Sequence, residues 1–434
     1  MNTAVIGGGW AGLAAAVTLA SRNVPVTLYE SSRQLGGRAR CVPWNGLSVD
    51  NGQHLMIGAY TRLLALLRTL NIDEQKAFLR QRVSLHMHAP GQDTFVLSGN
   101  PLPAPLNLVY SLLTLRGASW RDKRRALGLC LYLARQRFRL AQDVSVHALL
   151  IRHRQTPTLI RRLWEPLCLA TLNTPLSEAS AQAFLIVLRD AFSRRNHYSD
   201  LLIPRQGLSE ILPLPAMEYI EQRQGHIRLR QRVRRLEISG KQAKRLWCDE
   251  EDMAHDQFIL ALPPYATARL LRDHTPLAPL CASLSDLPYQ PITTIWFRYP
   301  NPVDLPQPMI GMTQGVSQWL FDRRVCGQPN VLSVVISARG PHSDWPTDKL
   351  VQQVMSEIAI VSPALAEPED HYVITEKRAT FSCDIASQDW RPDNVTAIEN
   401  LWLAGDYTRT GYPATLEGAI ISGVRAAEFA LARR

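Results

Sequence analysis

Glycine spacing near the N-terminus points to a site for nucleotide phosphates. Residues 7–12 read Gly-Gly-Gly-Trp-Ala-Gly and fit the pattern G-x-G-x-x-G. In such a turn Gly7 permits the sharp bend, Gly9 lets a pyrophosphate approach the backbone, and Gly12 lets the next helix pack closely on the strand. The residues between the last two glycines are expected to offer backbone N–H groups to the phosphates, and they are Trp10 and Ala11.

A carboxylate stands where such sites bind ribose. Thr3–Ile6 and Val24–Tyr29 predict two strands, and Leu13–Ser21 predicts the helix between them. Glu30 follows the second strand and lies 18 residues after Gly12, where the acid of a Rossmann unit accepts the ribose hydroxyls. Because strand, turn, helix, strand and acid occur in this order, we predict a dinucleotide site. A glycine-rich structural turn is the alternative.

The segment after this acid indicates which dinucleotide binds. Leu35-Gly36-Gly37-Arg38 resembles the L-G-G-R extension of the flavin amine oxidase and phytoene desaturase superfamily. The resemblance implies FAD, with Gly36 and Gly37 close to the cofactor and Arg38 near its phosphates. A solvated surface cation is the alternative for Arg38. No second G-x-G-x-x-G occurs downstream, so an external electron donor is expected to reduce the flavin.

A second part of the expected FAD site lies near the C-terminus. Leu401–Ala404 predicts a strand that ends in Gly405 and Asp406, and a loop then leads into a helix that opens at Thr415 and Leu416. This order resembles the superfamily's second FAD motif, which implies that Asp406 holds the ribityl chain. The positive end of the helix can face the flavin pyrimidine edge and favour the anionic reduced form. An Asx turn is the alternative for Asp406.

A third piece lies between these two. Residues 205–208 open a helix, 227–236 form a basic strand-like run, and 258–264 form an apolar strand that ends in two prolines. The arrangement resembles the superfamily's central return to the FAD domain. The resemblance implies that Val233 touches the adenine end of the cofactor.

The resulting fold class is α/β, with two interleaved domains. We expect a Rossmann-like FAD-binding domain of the GR2 type and an α+β substrate domain, in which an antiparallel sheet carries a helical cap. The FAD-binding parts are assigned to residues 1–84, 205–285 and 395–434. The substrate domain is assigned to the largely helical segment 85–204, with a membrane-contact region, and to the strand-rich segment 286–394.

Charge is concentrated in the first insert. The net charge of +10 favours an acidic partner. Residues 116–139 hold eight basic residues and the single acid Asp122, directly after the apolar segment 106–115. This pairing suits a peripheral contact with an anionic membrane surface; a packed helix with a solvated basic face is the alternative. Nucleic acid is not expected as a partner, since no stacking motif accompanies the arginines.

Composition and cysteine usage exclude several classes. A hydrophobic fraction of 46% with 20% charged residues excludes disordered and fibrous proteins. The seven cysteines are scattered and form no C-x-x-C pair, so neither a zinc ribbon nor a redox dithiol is expected, and no metal site. No apolar run approaches the roughly 18–20 residues of a membrane span. We expect a cytoplasmic protein, peripheral on the inner face of the cytoplasmic membrane.

Two further segments narrow the resemblance. Residues 50–54 read D-N-G-Q-H, and residues 164–173 read W-E-P-L-C-L-A-T-L-N. Both resemble the bacterial hydroxysqualene dehydroxylases, the squalene-associated branch of the desaturase superfamily, and the resemblance extends over residues 3–427. It implies an enzyme of squalene and hopanoid biosynthesis, in which reduced FAD replaces the allylic C–OH of a long-chain isoprenoid by C–H.

This reaction needs a hydride, supplied by the flavin, and an acid that lets the hydroxyl leave as water. His54 is the first candidate acid, because it lies close behind the cofactor motif and an imidazolium donates protons near neutral pH. Glu165 is the second. The family position implies that Trp164 and Asn173 line a substrate tunnel, and Tyr412 is expected at the flavin face. Structural packing is the alternative for all five.

Three other functions fit parts of the pattern. A carotenoid desaturase would use the same flavin in the oxidative direction on a similar polyene. An amine oxidase is less well matched, because the inserts show no aromatic cage beside the C-terminal motif. A prenyl-binding escort protein would lack a working flavin site, whereas L-G-G-R and Gly405-Asp406 are intact here.

Overall fold

The computed structural model describes residues 2–102, 106–192, 196–249 and 251–433. In chain order the strands are β1 (Thr3–Ile6), β2 (Val26–Tyr29), β3 (Cys41–Trp44), β4 (Leu47–Asp50), β5 (Met56–Ile57), β6 (Phe78–Gln81), β7 (Ser84–His88), β8 (Phe95–Ser98), β9 (Leu201–Pro204), β10 (His226–Arg228), β11 (Val233–Ser239), β12 (Gln242–Cys248), β13 (Glu251–Ala254), β14 (Gln257–Leu260), β15 (Tyr289–Arg298), β16 (Met309–Met312), β17 (Trp319–Asp322), β18 (Val331–Ser337), β19 (Asp370–Phe381) and β20 (Leu401–Leu403).

The helices are α1 (Trp10–Ala20), α2 (Thr61–Thr69), α3 (Glu74–Ala77), α4 (Leu106–Leu113), α5 (Trp120–Arg135), α6 (Val146–Arg152), α7 (Pro157–Leu159), α8 (Glu165–Leu172), α9 (Ala181–Phe192), α10 (Leu208–Ile211), α11 (Pro213–Glu221), α12 (Pro264–Leu271), α13 (Ala278–Ser285), α14 (Thr347–Val361), α15 (Ser387–Trp390) and α16 (Leu416–Ala432). A π-helical turn over Ile160–Trp164 joins α7 to α8. Pro166 follows this turn and has no backbone N–H, so the regular α-helical ladder cannot continue through it.

The predicted dinucleotide fold is a five-stranded parallel sheet in the order β10-β2-β1-β14-β20. Its strands come from the beginning, the middle and the end of the chain. β1, β2 and β14 are buried along their whole length, which explains their nearly continuous apolar sequences. The glycine turn leaves the carboxyl end of β1, at the centre of the sheet, where open α/β sheets bind their ligands.

Helix α1 packs against α16 at very short range. A side chain on Gly423 of α16 would lie 2.1 Å from the Ala11 carbonyl oxygen. On the other side of this contact are small residues, including Ala14, whose Cβ would be 3.1 Å away. The N-terminal and C-terminal parts of the cofactor domain are therefore held together by backbone-to-backbone packing.

The second domain is built on a seven-stranded sheet in the order β19-β15-β18-β17-β16-β7-β8. The pairs that join β15 to β19 and to β18 are antiparallel, as expected. The pair β16–β7 is parallel, so the sheet is mixed and not wholly antiparallel. Apart from Ser84, β7 and β8 lie in the segment 85–204, which was expected to be largely helical, yet they form one edge of this sheet. Helix α14, which the sequence analysis did not predict, packs apolar side chains such as Val354 and Ile358 on one face of the sheet. The cap helices share a hydrophobic cluster with residues of the sheet such as Trp319 and Phe321.

Two further segments differ from their sequence-based description. The run 227–236 is divided between β10 and β11, because Arg230 between them takes a left-handed conformation with φ 58°. β10 joins the parallel sheet, whereas β11 begins a separate antiparallel sheet with β12 and β13. Strand β9, at the end of the predicted cap segment, pairs with β5 and β6. The domain boundaries themselves stay a prediction.

A buried ion pair ties the two domains together. Asp50 and Arg323 are almost fully buried, with 3.4 Å between Oδ2 and Nη1. The other carboxylate oxygen of Asp50 accepts from the backbone N–H of Leu208 at 2.8 Å, and Arg323 also donates to Gln53 at 3.0 Å. Removing one partner would leave an uncompensated buried charge. Asp50 and Gln53 belong to the D-N-G-Q-H segment, so this segment contributes to the joint between the domains.

The described ranges hold neither a membrane-spanning helix nor a cluster of metal-binding side chains. No helix there is both long and apolar enough to cross a membrane. Those ranges likewise contain no group of three or more His, Cys, Asp or Glu side chains that could hold a metal ion.

The carboxylate of Glu417 joins α16 to the N-terminus of α2. It accepts from the backbone N–H groups of Arg62 at 2.8 Å and Leu63 at 2.9 Å. Burial raises the pKa of Glu417 to about 7, although both N–H groups favour the ionised form. A carboxyl with a raised pKa in the folded state binds a proton more tightly there than in the unfolded chain. Its stabilising contribution is therefore present at low pH and is lost as the pH rises from 4.5 through about 7.

We predict that Glu417→Gln removes this part of the pH dependence. In urea titrations of the apoprotein, the wild-type free energy of unfolding should fall by about 3 kcal/mol more than that of the variant between pH 4.5 and 8. Glu428→Gln, at an exposed position on the same helix, is the control and should keep the wild-type slope. Equal slopes for Glu417→Gln and wild type would contradict the prediction.

Candidate functional site

The three glycines of the N-terminal turn meet different steric demands. Gly7 has φ +112°, and a side chain there would lie 2.4 Å from the Ala261 carbonyl oxygen. A side chain on Gly12 would lie 1.9 Å from the Gly7 carbonyl oxygen. At Gly9 the nearest atom to such a side chain is the Gly37 Cα at 4.0 Å, so a space remains open beside the backbone. This space lies at the N-terminus of α1, which has no side-chain cap.

Glu30 is held in place by the loops around it. Its Oε2 accepts from the backbone N–H of Gly8 at 2.8 Å, and its Oε1 accepts from that of Ser32 at 2.7 Å. The Gly36 N–H donates to the Gly8 carbonyl at 2.8 Å, which places the L-G-G-R segment directly on the turn. Gly36 and Gly37 both have positive φ, 108° and 59°, a backbone conformation that favours glycine over other residues.

Two predicted cofactor residues from opposite ends of the chain meet here. Arg38 Nη2 lies 2.8 Å from Asp406 Oδ2, and Arg38 Nη1 donates to the Ala379 carbonyl at 2.5 Å. The structure thus brings the L-G-G-R and Gly-Asp motifs together. Their individual roles toward phosphate and ribityl groups stay predictions.

The loop after Asp406 is organised by a residue that the sequence analysis missed, Arg391. This buried guanidinium donates to the carbonyl oxygens of Asp406 at 3.0 Å and Tyr412 at 2.6 Å, to the Thr410 hydroxyl at 3.0 Å, and to the Thr408 carbonyl. Burial lowers the pKa of Arg391 to about 10, so it remains a cation at neutral pH. Arg391 lies 15 residues before Asp406, and no sequence motif around it indicates that it binds this loop.

The remaining predicted cofactor residues belong to the C-terminal and central parts of the expected site. Thr415 is the N-cap of α16, with its hydroxyl accepting from the Gly418 N–H at 3.1 Å, and Leu416 is the first helical residue. The N–H of Gln231 donates to the Glu30 carbonyl at 2.9 Å, which brings the chain just before Val233 beside Glu30. The expected contact of Val233 with adenine stays a prediction.

These residues fit FAD. The open space at Gly9 adjoins uncapped helical N–H groups, as a pyrophosphate requires. Glu30 lies at the carboxyl end of β2, as the ribose of the adenosine half requires. Trp10 and Ala11 are buried within the first turn of the helix, and Trp10 donates through Nε1 to the Ala39 carbonyl at 2.9 Å.

The environment of His54 does not support the expected imidazolium donor. Its Nδ1 lies 2.6 Å from the Gly52 carbonyl oxygen, which can only accept, so Nδ1 carries a proton. Burial lowers the pKa of His54, although the bond to Gly52 favours protonation. At neutral pH the ring is therefore neutral, with a lone pair on Nε2. This geometry agrees with the structural alternative, a histidine bonded to the backbone.

The surroundings of Glu165, unlike those of His54, favour the protonated form of the side chain. Glu165 is half-buried at the start of α8, directly after the π-helical turn. Burial raises its pKa, and the nearby charge of Arg161 opposes this shift only in part. Cys168, one turn further along, lies within electrostatic range of both Glu165 and Cys383, which raise its pKa after the larger effect of burial. Of the two predicted acids, Glu165 is the one whose surroundings favour a bound proton.

Trp164 and Asn173 both make buried polar contacts, and their expected place along a substrate tunnel stays a prediction. Trp164 is 4% exposed within the hydrophobic cluster of the cap, and its Nε1 donates to Gln155 at 2.9 Å. Asn173 ends α8 in a left-handed conformation with φ 48°. Its Nδ2 donates to Thr380 at 2.9 Å, and its Oδ1 accepts from the Ala338 N–H at 2.7 Å. Both polar groups of the side chain are engaged in joining the cap to the sheet.

Tyr412 connects the loop after Asp406 to the cap. Its hydroxyl donates to the carboxylate of Asp190 on α9, while its carbonyl accepts from Arg391. Asp190 is also paired with Arg189, at 2.8 Å. The position of Tyr412 at the flavin face stays a prediction, and its contact with α9 was not expected from the sequence.

The fold and the cofactor residues together define an FAD-dependent oxidoreductase. A family model described as Flavin containing amine oxidoreductase matches residues 10–431. The chain belongs to this family.

Individual relatives agree with this assignment. The hydroxysqualene dehydroxylase of Sinorhizobium fredii is 30% identical over 448 residues, covering 99% of this chain and 98% of that protein. The 15-cis-phytoene desaturase of Glycine max is 25% identical over 451 residues, covering 98% of this chain and 78% of that protein. A solved oxidoreductase from Methanosarcina mazei superposes with a TM-score of 0.77 at 16% identity, covering 99% of this chain and 100% of that one. This last likeness shows the fold alone.

We predict that two glycine substitutions separate cofactor binding from folding. Gly9→Ala places a methyl group in the open space, at a backbone conformation that alanine adopts (φ −74°, ψ 176°). It should leave the unfolding midpoint of the apoprotein within about 2 °C of wild type and weaken FAD binding by about tenfold or more. Gly12→Ala should lower the midpoint itself, because its methyl group meets the Gly7 carbonyl. Flavin fluorescence titration and thermal unfolding measure the two effects.

Gly128→Ala is the control for this pair, because a side chain there meets no atom within 4 Å. It should leave FAD affinity unchanged. Wild-type affinity in Gly9→Ala would show that no phosphate occupies the space at Gly9.

We predict a structural effect for Asn173→Gly. Glycine keeps the left-handed backbone but removes the bonds to Thr380, Ala338 and Pro291, leaving buried groups unpaired. The expected loss in unfolding free energy is about 2–4 kcal/mol. Asn23→Gly, at an exposed residue that also has positive φ, should change stability by less than about 0.5 kcal/mol. A raised KM with unchanged stability would instead support the tunnel role.

Proposed function

We propose that this chain reductively removes the hydroxyl group of hydroxysqualene and yields squalene. The observation that carries the proposal is the similarity to a hydroxysqualene dehydroxylase over 99% of this chain. The segments 50–54 and 164–173 support it, because they are the more selective parts of the resemblance. Squalene and hopanoid biosynthesis is the corresponding setting, and an external electron donor would reduce the flavin.

The proposed reaction divides into two tasks. Reduced FAD, when bound, supplies the hydride that replaces the hydroxyl at the allylic carbon. The protein must deliver a proton to the departing oxygen, so that it leaves as water. The protein must also keep bulk water from the reacting carbon, and the apolar cluster shared by the cap and the sheet suits this task.

Glu165 is the proposed proton donor. Its raised pKa favours the protonated carboxyl at a higher pH than an ordinary glutamate allows. His54, whose neutral ring carries its proton on the Nδ1 bonded to Gly52, has no proton on Nε2 to donate. In this proposal His54 supports the segment behind the cofactor motif.

A polyene desaturase is the second candidate, favoured by the similarity to 15-cis-phytoene desaturase over 98% of this chain. The two functions require opposite flavin redox states. Anaerobic incubation with chemically reduced FAD and hydroxysqualene should yield squalene. No squalene there, together with dehydrogenation of a polyene by the oxidised protein, would replace the first proposal with the second.

We predict that Glu165→Gln lowers kcat for squalene formation by about 10²–10⁴-fold, because the amide cannot donate the proton. Since the acid must be protonated to act, the wild-type rate should fall as the pH rises through the raised pKa of Glu165. This basic limb should be absent in the variant, whereas FAD affinity should stay unchanged. Glu178→Gln, at an exposed position in the same insert, is the control. Full activity in Glu165→Gln would remove Glu165 from the mechanism.

A further inference from the structure

A cationic groove lies outside the residues assigned to cofactor and catalysis. It is an open depression of about 320 Å³ between helix α5 and the chain around the end of α6. Helix α5 contributes Arg124 and Arg125, and the chain at the end of α6 contributes Arg152, His153 and Arg154. We call these five residues, with Gly128 of α5, the arginine groove.

The arginine groove has no counter-charge in its walls. Its lining in the described part of the chain contains no acidic residue. The one acid of α5, Asp122, is buried, and it accepts from the Ser119 N–H at 2.8 Å and the Thr156 hydroxyl at 2.5 Å. Four guanidinium groups facing one space repel each other, so an anion that enters the groove is bound favourably.

Buried hydrogen bonds hold the walls of the groove in place. Gln155 Nε2 donates to the Arg125 carbonyl at 2.9 Å and to the His153 carbonyl at 3.3 Å, and so joins the two walls. Gln155 Oε1 accepts from Trp164 Nε1 at 2.9 Å. The W-E-P-L segment thus braces the arginine groove through a single glutamine.

Two details fit a phosphate group. A side chain on Gly128 would meet no atom within 4 Å, so a group in the groove can approach the backbone of α5 there. Arg154 keeps an arginine side chain at φ 53°, where glycine or asparagine is usual. Guanidinium groups bind phosphate oxygens through paired hydrogen bonds.

Exposed apolar side chains near the groove favour a membrane lipid over a soluble phosphate ester as the ligand. Trp120 is 68% exposed, Leu131 49% and Ile151 53%. Trp120 and Arg124 are one helical turn apart on the exposed face of α5, and Ile151 directly precedes Arg152. A soluble phosphate ester gains nothing from these apolar groups, whereas a bilayer surface receives both them and the arginines.

We propose that the arginine groove binds the phosphate headgroup of an anionic phospholipid, with Trp120 and Ile151 entering the bilayer surface. The inference deepens the proposed function, because an isoprenoid substrate resides in a bilayer. Vesicle binding is measured without substrate, and dehydroxylation can be assayed on detergent-dispersed substrate, so the two proposals fail independently.

The test compares two double variants that lose the same charge. Arg124→Gln/Arg152→Gln changes the groove, and Arg22→Gln/Arg272→Gln changes two exposed arginines elsewhere. Wild-type holoenzyme should sediment with vesicles of phosphatidylcholine plus phosphatidylglycerol, and not with phosphatidylcholine alone. The groove variant should bind the mixed vesicles more weakly by on the order of tenfold to thirtyfold, and the control within about twofold of wild type.

Two further measurements complete the test. Trp120→Ser should also weaken vesicle binding, and it leaves every arginine in place. Equal losses in both double variants, or no loss in the groove variant, would overturn the proposal. Calorimetry with sn-glycerol 3-phosphate in solution covers the other source of phosphate. Saturable binding there, lost in the groove variant and unaccompanied by vesicle binding of the wild type, would reassign the groove to a soluble phosphate ester.

Discussion

At the cofactor end of the molecule, the chain must supply hydrogen-bond acceptors to one buried cation, the guanidinium of Arg391. A guanidinium out of water is costly unless its N–H groups are satisfied, and Arg391 obtains its partners from the carbonyls of Asp406, Thr408 and Tyr412. The loop must therefore keep these carbonyls turned inward. With the loop held in this way, the Asp406 side chain points toward Arg38 and the chain continues to Thr415, where α16 begins.

Polar groups also hold the larger units together. Asp50 and Arg323 join the segment behind the cofactor motif to the antiparallel sheet. Asn173 joins the cap to the same sheet, and Tyr412 joins the loop after Asp406 to α9 through Asp190. In each case a buried polar side chain has its full set of partners only when both units are in place, and an unpaired buried group costs more than the bond contributes. Such contacts fix the position of one unit relative to the other more than they increase the free energy of unfolding.

The same contacts change how the selective sequence segments are understood. The D-N-G-Q-H segment contributes Asp50 and Gln53 to the joint between domains, and its histidine is a neutral ring bonded to the backbone. In the W-E-P-L segment, Trp164 braces the cap, and burial raises the pKa of Glu165 beside it. Adjacent residues in one motif thus have different properties, which depend on how far each is buried and on what each contacts.

The sequence by itself determined the nucleotide turn, the parallel sheet and FAD as the cofactor. The constraints at Gly7, Gly9 and Gly12 act over a few residues, or between a strand and the helix that follows it, so their spacing carries them. Only the tertiary structure decided the roles of Arg391, Arg323 and Glu417, and the direction in which the pKa values of His54 and Glu165 are shifted. Those properties depend on partners far away in the chain and on the exclusion of water. The loss of water around a charge depends on how tightly the surrounding chain packs, and a local sequence pattern does not predict that packing.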